Sequence, residues 1–157
     1  LTLSGGGNMS LSTGNRFITS TVAGGVFKIT TATTSVTNGG SLTFASNVLV
    51  QLLSGMDFGS GFSTINGTLQ IDAGGSVSNN APKYGNASLL KYNSGSSNYG
   101  RGIEWSSGLS SPVIGTTAGY PNDVQVSNNT TLNVPNTGSG PCPGPSWQAS
   151  CRQSAPQ

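Results

Sequence analysis

The sequence predicts an all-β protein, a right-handed parallel β-helix of stacked coils that carries an aromatic insertion or cap. Three observations point there. Apolar residues alternate with polar ones in runs of only three to six, the period of strands with one buried face. Gly, Ser, Thr and Asn supply 24, 25, 17 and 15 of the 157 residues, while charged residues make up 6%. Turn-and-strand phrases of similar spelling recur along the chain, the mark of one supersecondary module stacked upon itself.

Taken in order, the expected strands are Leu1-Thr2-Leu3, Met9-Ser10-Leu11, Phe27-Lys28-Ile29, Leu42-Thr43-Phe44, residues 48–53, Leu69-Gln70-Ile71, Val124-Gln125-Val126 and Leu132-Asn133-Val134. Between them lie Gly5-Gly6-Gly7, Gly24-Gly25, Asn38-Gly39-Gly40, Gly59-Ser60-Gly61, Asn66-Gly67, Gly74-Gly75 and Asn79-Asn80. Gly and Asn tolerate positive φ, so the backbone turns sharply there at little steric cost. Helix-period segments of ten or more residues are missing, and the Thr, Val and Ser content disfavours them. Asn38-Gly39-Gly40-Ser41-Leu42-Thr43-Phe44 is echoed by Ile65-Asn66-Gly67-Thr68-Leu69-Gln70-Ile71. Fainter echoes follow at Ala73-Gly74-Gly75-Ser76-Val77-Ser78 and Asn128-Asn129-Thr130-Thr131-Leu132-Asn133-Val134.

An antiparallel β-sandwich is the competing architecture, with Asn38-Gly39 and Asn66-Gly67 as hairpin turns. Short strands, scarce charge and rows of Ser, Thr and Asn able to form ladders favour the β-helix. At roughly 20 residues per coil, residues 1–136 would hold six or seven coils. By strand spacing that is a rod on the order of 30 Å long. Its open ends need a cap or further coils. The expected organisation is a solenoid over 1–136, with the aromatic insertion or cap at 84–123, and a Pro/Gly-rich tail at 137–157.

Composition excludes several classes. A coiled coil or helical bundle would need far more than four acidic and six basic residues. A formal charge of +2 leaves no footprint for nucleic acid. No run approaches 20 apolar residues, so no membrane-inserted helix is expected. Residues 1–7 lack the basic start and apolar core of a signal peptide, and a chain opening on Leu1 reads as a piece of a longer protein. Cys142 and Cys151 flank a loop with Pro143, Pro145 and Trp147, which reads as a local disulfide formed in an oxidising compartment.

Chemistry concentrates after Asn79-Asn80. Tyr84, Tyr92, Tyr99, Arg101, Glu104, Trp105, Tyr120 and Asp123 cluster between Pro82 and Pro121 or just beyond, with Lys83 and Lys91. Two readings compete for this set. Rings stacked on sugars, with Arg101, Glu104 or Asp123 bonding hydroxyls, would make a glycan-binding face. Alternatively the aromatics cover the core as a cap while Arg101 pairs with Glu104 or Asp123.

The runs at residues 89–95, Tyr99-Gly100-Arg101-Gly102-Ile103-Glu104-Trp105, residues 119–126 and residues 128–134 resemble a segment of large repetitive extracellular proteins of Bacteroidota. The Gly/Ser/Thr/Asn-rich phrases extend the resemblance over residues 1–136. It implies a β-helical surface or secreted protein, of the kind exported by the type IX route with a separate C-terminal sorting domain. No sorting domain is visible in residues 1–157, and the tail from Gly138 departs from the pattern. The resemblance supplies no catalytic residue.

Catalytic constellations are correspondingly thin. With no His, Ser/His/Asp and Cys/His systems cannot be assembled within the chain. The acids are Asp57, Asp72, Glu104 and Asp123, scattered singly. A glycosidase needs two carboxylates at a controlled separation, and a lyase commonly needs a calcium-binding cluster. Asp72, in a repeat turn, is expected to bond its own backbone. The Thr30-Thr31-Ala32-Thr33-Thr34 run occurs once, too little for an ice-binding array. Neither cofactor nor metal site is expected. The expected role is a non-enzymatic stalk, spacer or adhesive fibre of a bacterial surface or secreted protein. Surface polysaccharide or further copies of the chain are its candidate partners.

Overall fold

The computed structural model describes residues 1–11, 14–37, 40–61, 63–95, 99–106 and 109–134. Its strands are β1 (Thr2–Leu3), β2 (Gly7–Leu11), β3 (Arg16–Ile18), β4 (Gly25–Ile29), β5 (Thr33–Thr37), β6 (Leu42–Phe44), β7 (Val48–Leu52) and β8 (Gly55–Asp57). They continue with β9 (Ser63–Ile65), β10 (Thr68–Asp72), β11 (Ser76–Val77), β12 (Lys83–Tyr84), β13 (Leu89–Asn93), β14 (Tyr99–Gly100), β15 (Asp123–Val126) and β16 (Leu132–Asn133). The only helical element among the described residues is a 3-10 turn, Ile103–Trp105.

As far as β13, every third strand is a neighbour. The first sheet runs β1-β4-β7-β10-β13-β15, the second β2-β5-β8-β11, the third β3-β6-β9-β12, and a short fourth joins β14 to β16. All of these pairings are parallel, so the chain is a β-solenoid and the sandwich is excluded. Asn66-Gly67 joins β9 to β10, which lie in different sheets, so it is a corner and not a hairpin.

Register gives the length of each coil. Thr2 lies beside Lys28, Val26 beside Leu49, Leu49 beside Thr68, Thr68 beside Leu89, and Leu89 beside Asp123. Successive coils therefore take 26, 23, 19, 21 and 34 residues. Four coils carry strands on all three sides, fewer than the six or seven expected, although the first sheet does reach six strands. The long excursion between β13 and β15 consumes the missing chain.

Alternation sets the core. In β7 the burial of Val48, Val50 and Leu52 alternates with part-exposed Leu49 and Gln51, and β6 does the same with Leu42 and Phe44. Because register is kept, inward residues form columns: Phe27, Val50, Leu69, Leu90 and Val124 in one, Ile29, Leu52, Ile71 and Tyr92 in the next. Phe27 and Phe44 meet edge to face at 5.1 Å between centroids, and Phe44 meets Phe58 at 6.4 Å, arrangements that aromatic quadrupoles favour.

Corners carry the polar bonds. Turns close through Val48 N–H to Ala45 C=O, Gly75 N–H to Asp72 C=O, Ser88 N–H to Gly85 C=O and Thr130 N–H to Ser127 C=O. Asn79, Asn128 and Asn129 take positive φ where the chain bends. No helix among the described residues is long and apolar enough to cross a membrane. The tail, with Cys142, Cys151 and the expected disulfide, lies outside the described residues.

Candidate functional site

The aromatic segment starts from two short strands whose parity aims their rings inward. Tyr84 on β12 and Tyr92 on β13 are fully buried, in line with the Ile65 and Ile71 columns beneath them. A phenol in such a place needs a partner for its hydroxyl, and the 3-10 turn supplies one for each ring. Tyr92 Oη donates to Glu104 Oε1 at 2.8 Å, and Tyr84 Oη donates to the Glu104 carbonyl at 2.9 Å. Gly102 N–H donates to the same Oε1 at 2.7 Å. A Cβ on Gly102 would stand 2.5 Å from Glu104 Oε2, so glycine is what lets the carboxylate fold back over its own turn.

Glu104 is 1% exposed, which makes the floor of this last coil polar where the coils below are apolar. Burial, and secondarily the neighbouring Glu104, holds the Tyr84 and Tyr92 hydroxyls well above the ordinary phenol range, and Tyr99 rises for the same two reasons. Tyr99 sits against Tyr92 with centroids 5.5 Å apart and donates to the Gly75 carbonyl at 2.8 Å, tying β14 to the coil beneath.

The other members of the set lie further out. Arg101 places its guanidinium carbon 5.4 Å from the Trp105 ring centre, a cation–π stack of two half-buried side chains. The ion pair considered for Arg101 with Glu104 or Asp123 is absent among the described residues. Glu104 is sealed inside, where a guanidinium would lose its hydration, and the indole face offers the cation a site at the surface. Asp123, on β15 beside Leu89, accepts from Asn122 Nδ2 at 2.7 Å and makes no hydrogen bond to the Glu104 cluster among the described residues. Tyr120 is half-buried. The fold thus brings together Tyr84, Tyr92, Tyr99 and Glu104, and separately Arg101 and Trp105.

Residues 109–122 return to cover a sheet edge. Gly115 N–H bonds Tyr84 C=O, Gly119 N–H bonds Pro82 C=O, and Lys83 forms an antiparallel bridge with Ala118. The segment takes the place where the third sheet would receive its next parallel strand, which blunts an edge otherwise open for pairing.

Two further carboxylates have roles the sequence did not reveal. Asp72 does not simply bond its own turn: it accepts from Gln51, Gln70 and Asn93 side chains, bridging three successive coils. These donors sit side by side only because Gln51 registers with Gln70 and Asp72 with Asn93. Asp57, which is buried where Asp72 is half-buried, accepts from Gly59 N–H and from the Asn79 and Asn80 amides one coil on. The available signal was an Asn or Gln one coil length from each Asp, visible only once the coil length is known. Among the described residues no group of three or more His, Cys, Asp or Glu could hold a metal ion.

No family model matches this chain, and searches of curated proteins and of solved structures give no match either.

Proposed function

We propose that this chain is a structural segment, a stalk, spacer or adhesive fibre, of a larger secreted or cell-surface bacterial protein, and that it performs no catalysis. One observation carries the reading. All four carboxylates in the sequence, Asp57, Asp72, Glu104 and Asp123, accept hydrogen bonds from the chain's own amides, backbone N–H groups or phenols. They hold coils and turns together, and general acid–base work on a glycosidic bond asks instead for a facing pair open to substrate. The extracellular setting is supported by the resemblance of residues 89–134 to repetitive surface proteins.

Immunolabelling of intact source cells, with fractionation, tests the location. Signal at the surface or in the medium is the expected outcome, and confinement to the cytoplasmic fraction would overturn it. Incubation with a panel of polysaccharides should release no reducing or unsaturated ends. Release that disappears in Glu104→Gln or Asp123→Asn would establish an enzyme instead. A second reading, a carbohydrate-binding module on the 84–123 aromatics, draws on the part-exposed Arg101–Trp105 stack. Tyr84 and Tyr92 are too deeply buried to touch a ligand. Binding weakened by Trp105→Ala would support that module.

A further inference from the structure

A groove of about 510 Å³ lies on the outside of the solenoid where the third sheet turns into the first, lined by Phe17, Thr43, Ala45, Ser46, Asn66 and Asn86 among others. It follows the stacking direction. Phe17 and Thr43 are register neighbours on β3 and β6. Ala45 N–H bonds Ile18 C=O, Asn66 N–H bonds Phe44 C=O and Gly85 N–H bonds Ile65 C=O, so the lining climbs one coil at a time over four coils. Each step is about 4.8 Å, the spacing of neighbouring strands.

The chemistry of the lining differs from that of the other corners. Asn79, Asn80 and Asn93 spend their side-chain amides on neighbouring coils, and so does Asn47, which shares the groove's corner but does not line it. The side chains of Thr43, Ser46, Asn66 and Asn86 make no hydrogen bond among the described residues. Gly85 leaves the Asn66 amide room to lie along the groove, because a Cβ there would collide with Asn66 Oδ1. At the far end Phe17 is 71% exposed, the most exposed ring among the described residues, and no charged residue lines the groove. A row of uncommitted amides and hydroxyls beside an exposed aromatic face, with no formal charge, fits a ligand with many hydroxyls, apolar ring faces and no charge of its own.

We propose that this groove binds a neutral, extended, β-linked polysaccharide lying parallel to the solenoid axis. Such a chain advances by nearly the same step per sugar as the solenoid does per coil, so each coil can meet one sugar with Phe17 stacked on the terminal ring face. Lys83 follows Phe17, Thr43 and Thr64 in the same outward row beyond the groove, which makes an anionic polymer the natural competitor to test. The inference does not rest on the stalk reading, and a surface location can hold whether or not the groove binds.

Native gels cast with soluble polymers provide the test. Hydroxyethylcellulose or mixed-linkage β-glucan should retard the protein, and polygalacturonate should do so much less. Phe17→Ala should weaken retardation at least tenfold, Asn66→Ala with Asn86→Ala should do likewise, and Trp105→Ala should leave it unchanged. Circular dichroism of each variant checks that the fold is kept, since Phe17 and Asn86 are exposed but Asn66 and Trp105 are half-buried. The proposal is overturned by no retardation in any neutral β-linked polymer, by retardation that survives Phe17→Ala, by a preference for polygalacturonate, or by loss through Trp105→Ala alone.

Discussion

Glu104 shows what a single buried carboxyl can do in a solenoid. It ends the apolar column by offering acceptors to Tyr92, Gly102 and, through its carbonyl, Tyr84. Tyr92→Phe removes a donor from a group that water cannot reach, and such a loss costs about 1–3 kcal/mol. Urea titration should show that drop, whereas Tyr120→Phe, whose hydroxyl makes no hydrogen bond among the described residues, should stay within about 0.5 kcal/mol. An unmoved midpoint in Tyr92→Phe would mean that Glu104 does not depend on the phenol. The same cluster sets an alkaline limit. An unfolded tyrosine ionises near pH 10, and the folded chain holds Tyr84, Tyr92 and Tyr99 neutral beyond that. The native state then binds more protons than the unfolded one, so stability is whole below pH ~10 and falls as pH climbs toward the folded values. Thermal midpoints at about pH 8, 10 and 11 should decline only over the upper interval, and less so in Tyr92→Phe. The tyrosine cluster was legible as a shift in composition. Which rings face inward was not, because a two-residue strand such as β12 has no alternation of its own and takes its parity from the length of the corner before it.

Corners, more than strands, decide how this chain winds. Gly67 sits so close beneath the preceding corner that a Cβ would press on the Val48, Ala45 and Ser46 carbonyls, backbone atoms that cannot swing aside. Gly67→Ala should therefore cost about 1–3 kcal/mol as an overpacked site, measurable by thermal or urea unfolding. Gly100→Ala meets nothing within 4 Å and should be close to neutral, so equal effects of the two would remove the steric account. Element by element, strands with clean alternation were readable from the sequence, as β6 and β10 show. Others were hidden for a physical reason. In β8, Met56 and Asp57 are both buried, with Phe58 following, because the corner bonds of Asp57 draw a polar side chain inside and erase the period. The echoed phrases misled in one respect. Leu42–Phe44 belongs to the third sheet, Leu69 and Ile71 to the first, Val77 to the second and Leu132 to the fourth. The repeating unit is one side of the coil and its corner, which is why the repeats are irregularly spaced while the strand register is kept.

At the scale of the whole molecule, stability comes from columns of apolar side chains, parallel ladders and amide-bridged carboxylates, with few ion pairs to draw on. Four acids and six basic residues serve 157 positions, and Asp72 and Asp57 are held by Gln and Asn side chains instead of Lys or Arg. Salt screens interactions between separated exposed charges over about 10 Å at 0.1 M, but hardly touches a carboxylate in direct contact with amide donors. The thermal midpoint should thus move by less than about 2 °C between dilute buffer and ~0.5 M NaCl, under about 1 kcal/mol for a chain of this size. Truncating a column should have a far larger effect. Leu69, fully buried with Val50 below and Leu90 above, has no neighbour able to fill its space, so Leu69→Ala should cost about 2–5 kcal/mol. The two measurements together discriminate between accounts of the rod. A midpoint that climbs or falls steeply with NaCl, or a Leu69→Ala variant as stable as the parent, would place the cohesion in surface charge and not in the stacked interior. Cohesion in the interior would instead leave the stacked coils nearly indifferent to ionic strength.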